Sequence, residues 1–244
     1  IGLGLIGSSI ARAARKYRLA ETIVGCDENE TALAYARSKK FIDVAMRDAK
    51  TAVRDSKMVI LAMPPSRMEK IAKLIAPSLA PGAIVMDTAS VKLAMMQAIG
   101  GHLPSSVDFV PAHPIAGSEQ SGASAGRADL FKGRRVIVTP NEPLQNDMLK
   151  TITSFWSRMG ARVEGLPPET NDRVYAYLSH LPQLLAFVAR RIVSEKKPSG
   201  ELQRFLRIGG SNLAMWADIF YLNREFLLAA LDRYSLEQKR PLTL

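Results

Sequence analysis

The opening run Ile1-Gly2-Leu3-Gly4-Leu5-Ile6-Gly7-Ser8-Ser9-Ile10-Ala11 constrains this chain more than any other segment, because its glycines are spaced G-x-G-x-x-G and lead into a helical stretch. That spacing suits a tight strand-to-helix turn. Gly2 makes the bend, Gly4 lets a pyrophosphate approach the backbone, and Gly7 lets helix pack closely on strand. Leu5 and Ile6 open the helix, where free amides face an anion. Asp27 follows Gly7 by 20 residues and ends the apolar run Ile23-Val24-Gly25-Cys26, a position from which a carboxylate accepts both ribose hydroxyls of an adenosine. The next residue is Glu28 rather than a cation, and two carboxylates repel a 2′-phosphate, so NAD is favoured over NADP. The run begins inside the motif, so a first strand ending at Ile1 and a short N-terminal piece are expected before it.

The rest of the chain supplies a context for this turn. Short β-branched runs alternate with amphipathic stretches up to about residue 166, the pattern of a parallel α/β sheet. Expected strands are Thr22–Cys26, Met58–Ala62, Ile84–Asp87, Phe109–Pro111, Val136–Thr139 and Arg162–Glu164; expected helices are Ser8–Tyr17, Glu30–Lys39, Pro65–Ala76 and Leu144–Met159. Residues 1–166 are therefore expected to form a Rossmann domain with a mostly parallel, doubly wound sheet, and residues 167–244 an all-α domain beginning at Pro167-Pro168. In the second domain Val174, Leu178, Leu181, Leu185, Val188 and Ile192 recur at helical spacing as one buried face, ended by Lys197-Pro198-Ser199-Gly200. Ser211 is placed to cap a further helix with Met215, Ile219, Leu222, Phe226 and Ala230 on its apolar side. A helical unit of 78 residues with such long stripes is marginal alone, so it is expected to dock on a second copy as a homodimer.

Composition narrows the function classes. A 244-residue chain with 47% hydrophobic residues can bury enough surface to offset its ordering entropy, which excludes intrinsic disorder. The longest apolar runs, Lys57 to Met63 and Leu178 to Val188, fall short of the ~20 residues that cross a bilayer. Cys26 is the only cysteine, which excludes an internal disulfide and a cysteine zinc site; with only His102, His113 and His180 besides, no metal is expected. A reducing, cytoplasmic setting follows as an expectation. The net charge of +10 is spread as +7 over residues 1–166 and +3 over 167–244, so neither end is a basic tail. Pairs such as Arg134-Arg135, Arg190-Arg191 and Lys196-Lys197 stand apart without interleaved aromatics. An NAD-sensing DNA-binding protein would need a helix-turn-helix or similar module, and no segment offers one, so no nucleic-acid partner is expected.

Chemistry is concentrated near two strand ends. His113, in Pro111-Ala112-His113-Pro114-Ile115-Ala116-Gly117-Ser118-Glu119, is expected just past a strand, at the edge where open α/β sheets bind ligands. A neutral imidazole there can take a proton from a substrate hydroxyl while hydride leaves the same carbon. The alternative is a loop histidine bonded only to backbone. Ser90, in Asp87-Thr88-Ala89-Ser90-Val91-Lys92, also follows a strand; it can hold the imidazole tautomer or cap a helix.

Gly2 through Ala11, Asp87 to Lys92, the His-Pro-Ile-Ala-Gly-Ser-Glu run, Ser179-His180-Leu181-Pro182 and Met215-Trp216-Ala217-Asp218-Ile219-Phe220 appear in one order across nearly the whole chain. Together they resemble the prephenate/arogenate (cyclohexadienyl) dehydrogenase family. The resemblance implies an NAD(P)-dependent oxidative decarboxylation of arogenate or prephenate to tyrosine or 4-hydroxyphenylpyruvate, in tyrosine biosynthesis, by a homodimer joined through its helical domain. It implies that His113 bonds the ring hydroxyl, that Ser90 orients His113, and that Arg207 binds a substrate carboxylate. It also implies substrate contacts from Ser118, Ser179, Gln183 and Trp216, the last closing the partner's pocket. His180 is expected to be structural. Two positions depart from the family pattern. Gln183 stands where many prephenate-using members have a second histidine, which favours arogenate or dual use; Arg204 replaces an Asp found in some members and favours the dianionic prephenate. A β-hydroxyacid dehydrogenase shares the fold, but its catalytic lysine would have to be Lys196 or Lys197, at a helix end before Pro198.

Overall fold

The computed structural model describes residues 1–118, 120–139, 146–193 and 207–240. Eight strands are found among them: β1 Val24–Cys26, β2 Val44–Met46, β3 Met58–Leu61, β4 Ile84–Asp87, β5 Asp108–Phe109, β6 Ala112–Pro114, β7 Arg135–Val138 and β8 Arg162–Gly165. β1 pairs with β2, β3 with β4 and β4 with β5, all parallel. Ile1 and Gly2 connect the first two ladders, because Gly2 N donates to Cys26 O at 2.8 Å and Ala62 N to Ile1 O at 2.8 Å. The extended run through β5 and β6 then changes partner: β6 lies antiparallel to β7, which pairs parallel with β8. The sheet is thus mostly parallel, as its alternating pattern requires.

Helices cover both faces. Along β3 and β4, Val59, Leu61 and Val85 turn to one side and pack with α3 (Ala49–Ala52) and α4 (Pro65–Ile75); Ile60, Ile84 and Met86 turn to the other. That second side is filled by Ile10 and Ala13 of α1 (Leu5–Lys16) and by Ile152 and the fully buried Trp156 of α6 (Asn146–Arg158). This inside-outside alternation at period two is what buries both faces of a parallel sheet. The short helices α2 (Glu30–Ser38) and α5 (Leu93–Met95) complete the first half.

The helical half departs from its simplest reading. The stretch expected as one helix is α7 (Pro168–Tyr175), a π-helical turn over Ala176–His180, and α8 (Leu181–Val193). An inserted π turn rotates all that follows by about 100° relative to a straight α-helix. The predicted single buried face therefore breaks: Leu181 is buried, but Leu178, Val188 and Ile192 are 65%, 48% and 71% exposed. The last predicted helix is likewise two, α9 (Leu213–Leu222) and α10 (Arg224–Gln238), split at the buried Asn223. The cap of α9 is Asn212, whose side chain accepts from Met215 N at 2.9 Å, and not Ser211. Among the described residues no helix is long and apolar enough to cross a membrane.

Candidate active site

The glycine turn has the geometry its spacing predicts. Gly2 sits at φ +90°, and a Cβ there would meet Ala62 O at 2.5 Å. A Cβ on Gly7 would meet Gly2 O at 1.9 Å, so α1 could not approach this closely with any side chain at that position. Gly4, by contrast, faces open space within 4 Å, which leaves room for an anion over the backbone that leads into Leu5 and Ile6. Asp27 is fixed beside the turn, accepting from Leu3 N at 2.6 Å and Asn29 N at 2.8 Å. Its neighbour Glu28 is turned to a surface ion pair with Arg67.

Ser118 stands on the same side. It lines a cavity of about 410 Å³ with Leu5, Gly117, Arg127, Lys132 and Arg134, and its hydroxyl accepts from Gln120 N at 3.2 Å. The structure therefore brings Ser118 to the start of α1. Glu119, next in the motif, lies outside the described residues.

His113 lies within β6 rather than beyond a strand end, and pairs with Ile137 of β7. It is 7% exposed, and burial drives its pKa down to about 3. The imidazole is neutral at physiological pH. Its ring packs edge-on against Tyr175 of α7 at 4.5 Å between centroids. Its Nδ1 is 3.0 Å from Asn171 Oδ1. Ser90 does not hold the ring: its buried hydroxyl has no hydrogen-bond partner among the described residues, while its carbonyl accepts from Asn171 Nδ2 at 3.0 Å. Nor does Ser90 cap a helix. The amides of Lys92 and Leu93, which start α5, donate instead to Asp172 at 2.7 and 3.0 Å.

Beneath His113 lies a buried ion pair. Lys92 donates through Nζ to Asp87 and, at 2.8 Å, to Ala112 O, the carbonyl preceding His113; both Lys92 and Asp87 are fully buried. Burial pushes the Asp87 carboxyl up and the Lys92 ammonium down, and each charge opposes the other's shift. An isolated charge here would be prohibitive, so the two partners require each other.

Asp172 ties the second half of the chain to this centre. Besides the two amides, its carboxylate accepts from Asn171 Nδ2 at 2.9 Å, and its carbonyl accepts from Asn223 Nδ2 at 2.9 Å. Asn223 also donates to His180 Nδ1 at 2.8 Å. His180 is fully buried, its pKa is lowered to about 4 by burial, and its ring lies 6.1 Å from that of Trp216. Trp216 is half-buried against the first-domain core. Ser179 precedes His180 on the π turn and Gln183 is buried on α8. Arg207 is exposed and immediately precedes the short turn Ile208–Gly210. Arg204, Lys196 and Lys197, together with Pro198 to Gly200, lie outside the described residues. Among the described residues no group of three metal-ligating side chains converges.

Sequence reading did not find Asn171, Asp172 or Asn223. Neighbouring Asn and Asp on a helix carry no spacing signal; their roles come from contacts across 43 to 81 residues of sequence.

A family model described as prephenate dehydrogenase, nucleotide-binding domain, matches residues 10–165, and one described as prephenate dehydrogenase, dimerization domain, matches residues 167–242. The cyclohexadienyl dehydrogenase of Zymomonas mobilis subsp. mobilis is 34% identical over 250 residues, which is 98% of this chain and 85% of that protein. The crystal structure of prephenate dehydrogenase from A. aeolicus in complex with hydroxyphenyl propionate and NAD+ is similar at a TM-score of 0.87 and 30% identity, covering 97% of this chain and 86% of that one. Synechocystis arogenate dehydrogenase gives a TM-score of 0.80 at 25% identity, over 97% and 87% of the two chains. With both halves matched in order and a relative 34% identical over nearly the whole chain, the chain belongs to the prephenate dehydrogenase family.

Proposed function

We propose that this chain is an NAD-dependent cyclohexadienyl dehydrogenase, which oxidatively decarboxylates arogenate, prephenate or both. The observation that carries the reading is a buried His113 on β6 held by Asn171, in a chain whose glycine turn and Asp27 have the geometry of a dinucleotide cradle. The residues present fit NAD: open space over Gly4, amides at the start of α1, and a fixed carboxylate at Asp27 for the ribose. Bound NAD supplies the hydride acceptor. Glu28 is held by Arg67, so Asp27 is the carboxylate that disfavours a 2′-phosphate.

The ring hydroxyl donates a hydrogen bond, and ultimately its proton, to His113 as hydride leaves that carbon. The bond from the ring to its carboxylate breaks, carbon dioxide departs, and those electrons complete the aromatic ring; the oxygen regains its proton, so the product is a phenol and no net proton is released. Aromatisation supplies the driving force, and the protein's task is orientation and proton handling. Arg207, with its planar fork, suits a substrate carboxylate. Ser118, Ser179, Gln183 and Trp216 are assigned to the pocket walls, and residues 167–244 to the dimer. The exposure of Leu178 on the π turn and of Val188 and Ile192 on α8 supports that dimer.

The test is nicotinamide reduction with Asp27→Ala. Loss of about tenfold or more in kcat/KM for NAD, with a rise in the NADP to NAD ratio, is expected; an unchanged ratio would remove Asp27 from the cofactor site.

A further inference from the structure

We infer that Asn171 is a positioning residue that fixes His113 in the Nδ1–H tautomer and so leaves the Nε2 lone pair as the base. This deepens, and rests on, the proposed proton-accepting role of His113.

Which way an Asn amide faces must be decided by its neighbours, and here they leave one solution. One side-chain end of Asn171 lies 3.0 Å from the Ser90 carbonyl and 2.9 Å from the Asp172 carboxylate. Both are acceptors only, so that end must be the NH2, and both its hydrogens are used. The other end is therefore the oxygen, an acceptor, and it lies 3.0 Å from His113 Nδ1. An acceptor facing Nδ1 requires a proton on Nδ1 in the neutral ring, and burial keeps the ring neutral. Nε2 is then the nitrogen with a lone pair.

The amide is itself fixed. Asp172 is held by the amides of Lys92 and Leu93, and Ser90 belongs to the same loop. Rotating Asn171 by half a turn would set its oxygen against two acceptors and its NH2 against Nδ1. Two hydrogen bonds, one of them to a carboxylate, would be exchanged for two repulsions. His180 offers an internal contrast. Asn223 donates to its Nδ1 and to the Asp172 carbonyl, so His180 must carry its proton on Nε2. One acidic residue thus anchors two amides that set two histidines in opposite tautomers.

The experiment is a long-range proton–nitrogen spectrum of the full-length protein labelled with 15N-histidine, near pH 7.5, without substrate. Only three histidines contribute, and His113→Asn and His180→Asn assign their patterns. The expected result is an Nδ1–H pattern for His113 and an Nε2–H pattern for His180. In Asn171→Leu the His113 pattern moves toward Nε2–H or an average of the two while His180 is unchanged, and kcat falls at least tenfold with KM for NAD altered less than twofold. An Nε2–H pattern for His113 in the wild type overturns the inference without any variant having to fold. So does a pattern unmoved in Asn171→Leu. Because the spectrum needs no turnover, a correct tautomer in a protein inactive on both cyclohexadienols would reject the proposed reaction and leave this assignment standing.

Discussion

His113 is neutral because burial removes the water that would solvate its charged form, and the same fact governs its pH behaviour. With its pKa lowered from 6.5 to about 3, it stays a competent base across the range where an exposed histidine protonates. The acid limb of kcat/KM is therefore expected below 6.5; a limb at or above 6.5 would assign the titration elsewhere. Stability follows the same sign. His113 and His180 bind protons more readily when unfolded, so their contribution is complete above about pH 6.5 and is lost as pH falls toward about 4 and 3. Urea unfolding between pH 7 and 4.5 should show a slope that drops by about one proton in His180→Asn. Residues whose role is backbone geometry, Gly2 and Gly7, were legible in the sequence, because a turn this tight admits no other residue. Asn171 was not, because its task exists only once α7 docks on β6.

The elements carry their own test in the loop between β4 and α5. That loop has no strong local preference; it is held by Lys92 beneath and by Asp172 above. Lys92→Met strands Asp87 as a buried charge, and is expected to cost about 3–5 kcal/mol in chemical denaturation. Adding Asp87→Asn should restore much of that loss, since the stranded charge is then gone. A single variant as stable as wild type would mean that the pair does not organise the loop. Strands with β-branched runs, such as β3, β4 and β7, were readable from sequence because two-faced burial demands that composition. β2 was missed, being three residues with ordinary preferences, and the π turn was missed because a rephased helix keeps the composition of a straight one.

At the scale of the molecule, the helical half meets the first half through a polar seam of Asn171 and Asp172, with Trp216, Ile219 and Leu222 packed on the first-domain core, and leaves other apolar residues outside. Leu178, Ile192, Leu213 and Tyr221 are each more than 60% exposed, more than a lone helical unit should leave in water. Light scattering at micromolar concentration is expected to give a dimer, and Leu178→Glu with Ile192→Glu a monomer; a wild-type monomer would reject the assembly. The succession of a mostly parallel sheet and an all-helical half was legible from the change in periodicity, whereas the seam was not, because it is written in single polar residues far apart in sequence. The central claim is tested most directly by following nicotinamide reduction with NAD and either arogenate or prephenate, for the wild type and His113→Asn. Turnover with at least one substrate, falling by roughly 10²-fold in the variant while NAD still binds, is the predicted result. No turnover with either substrate by a folded, NAD-binding protein, or undiminished turnover without His113, would contradict it.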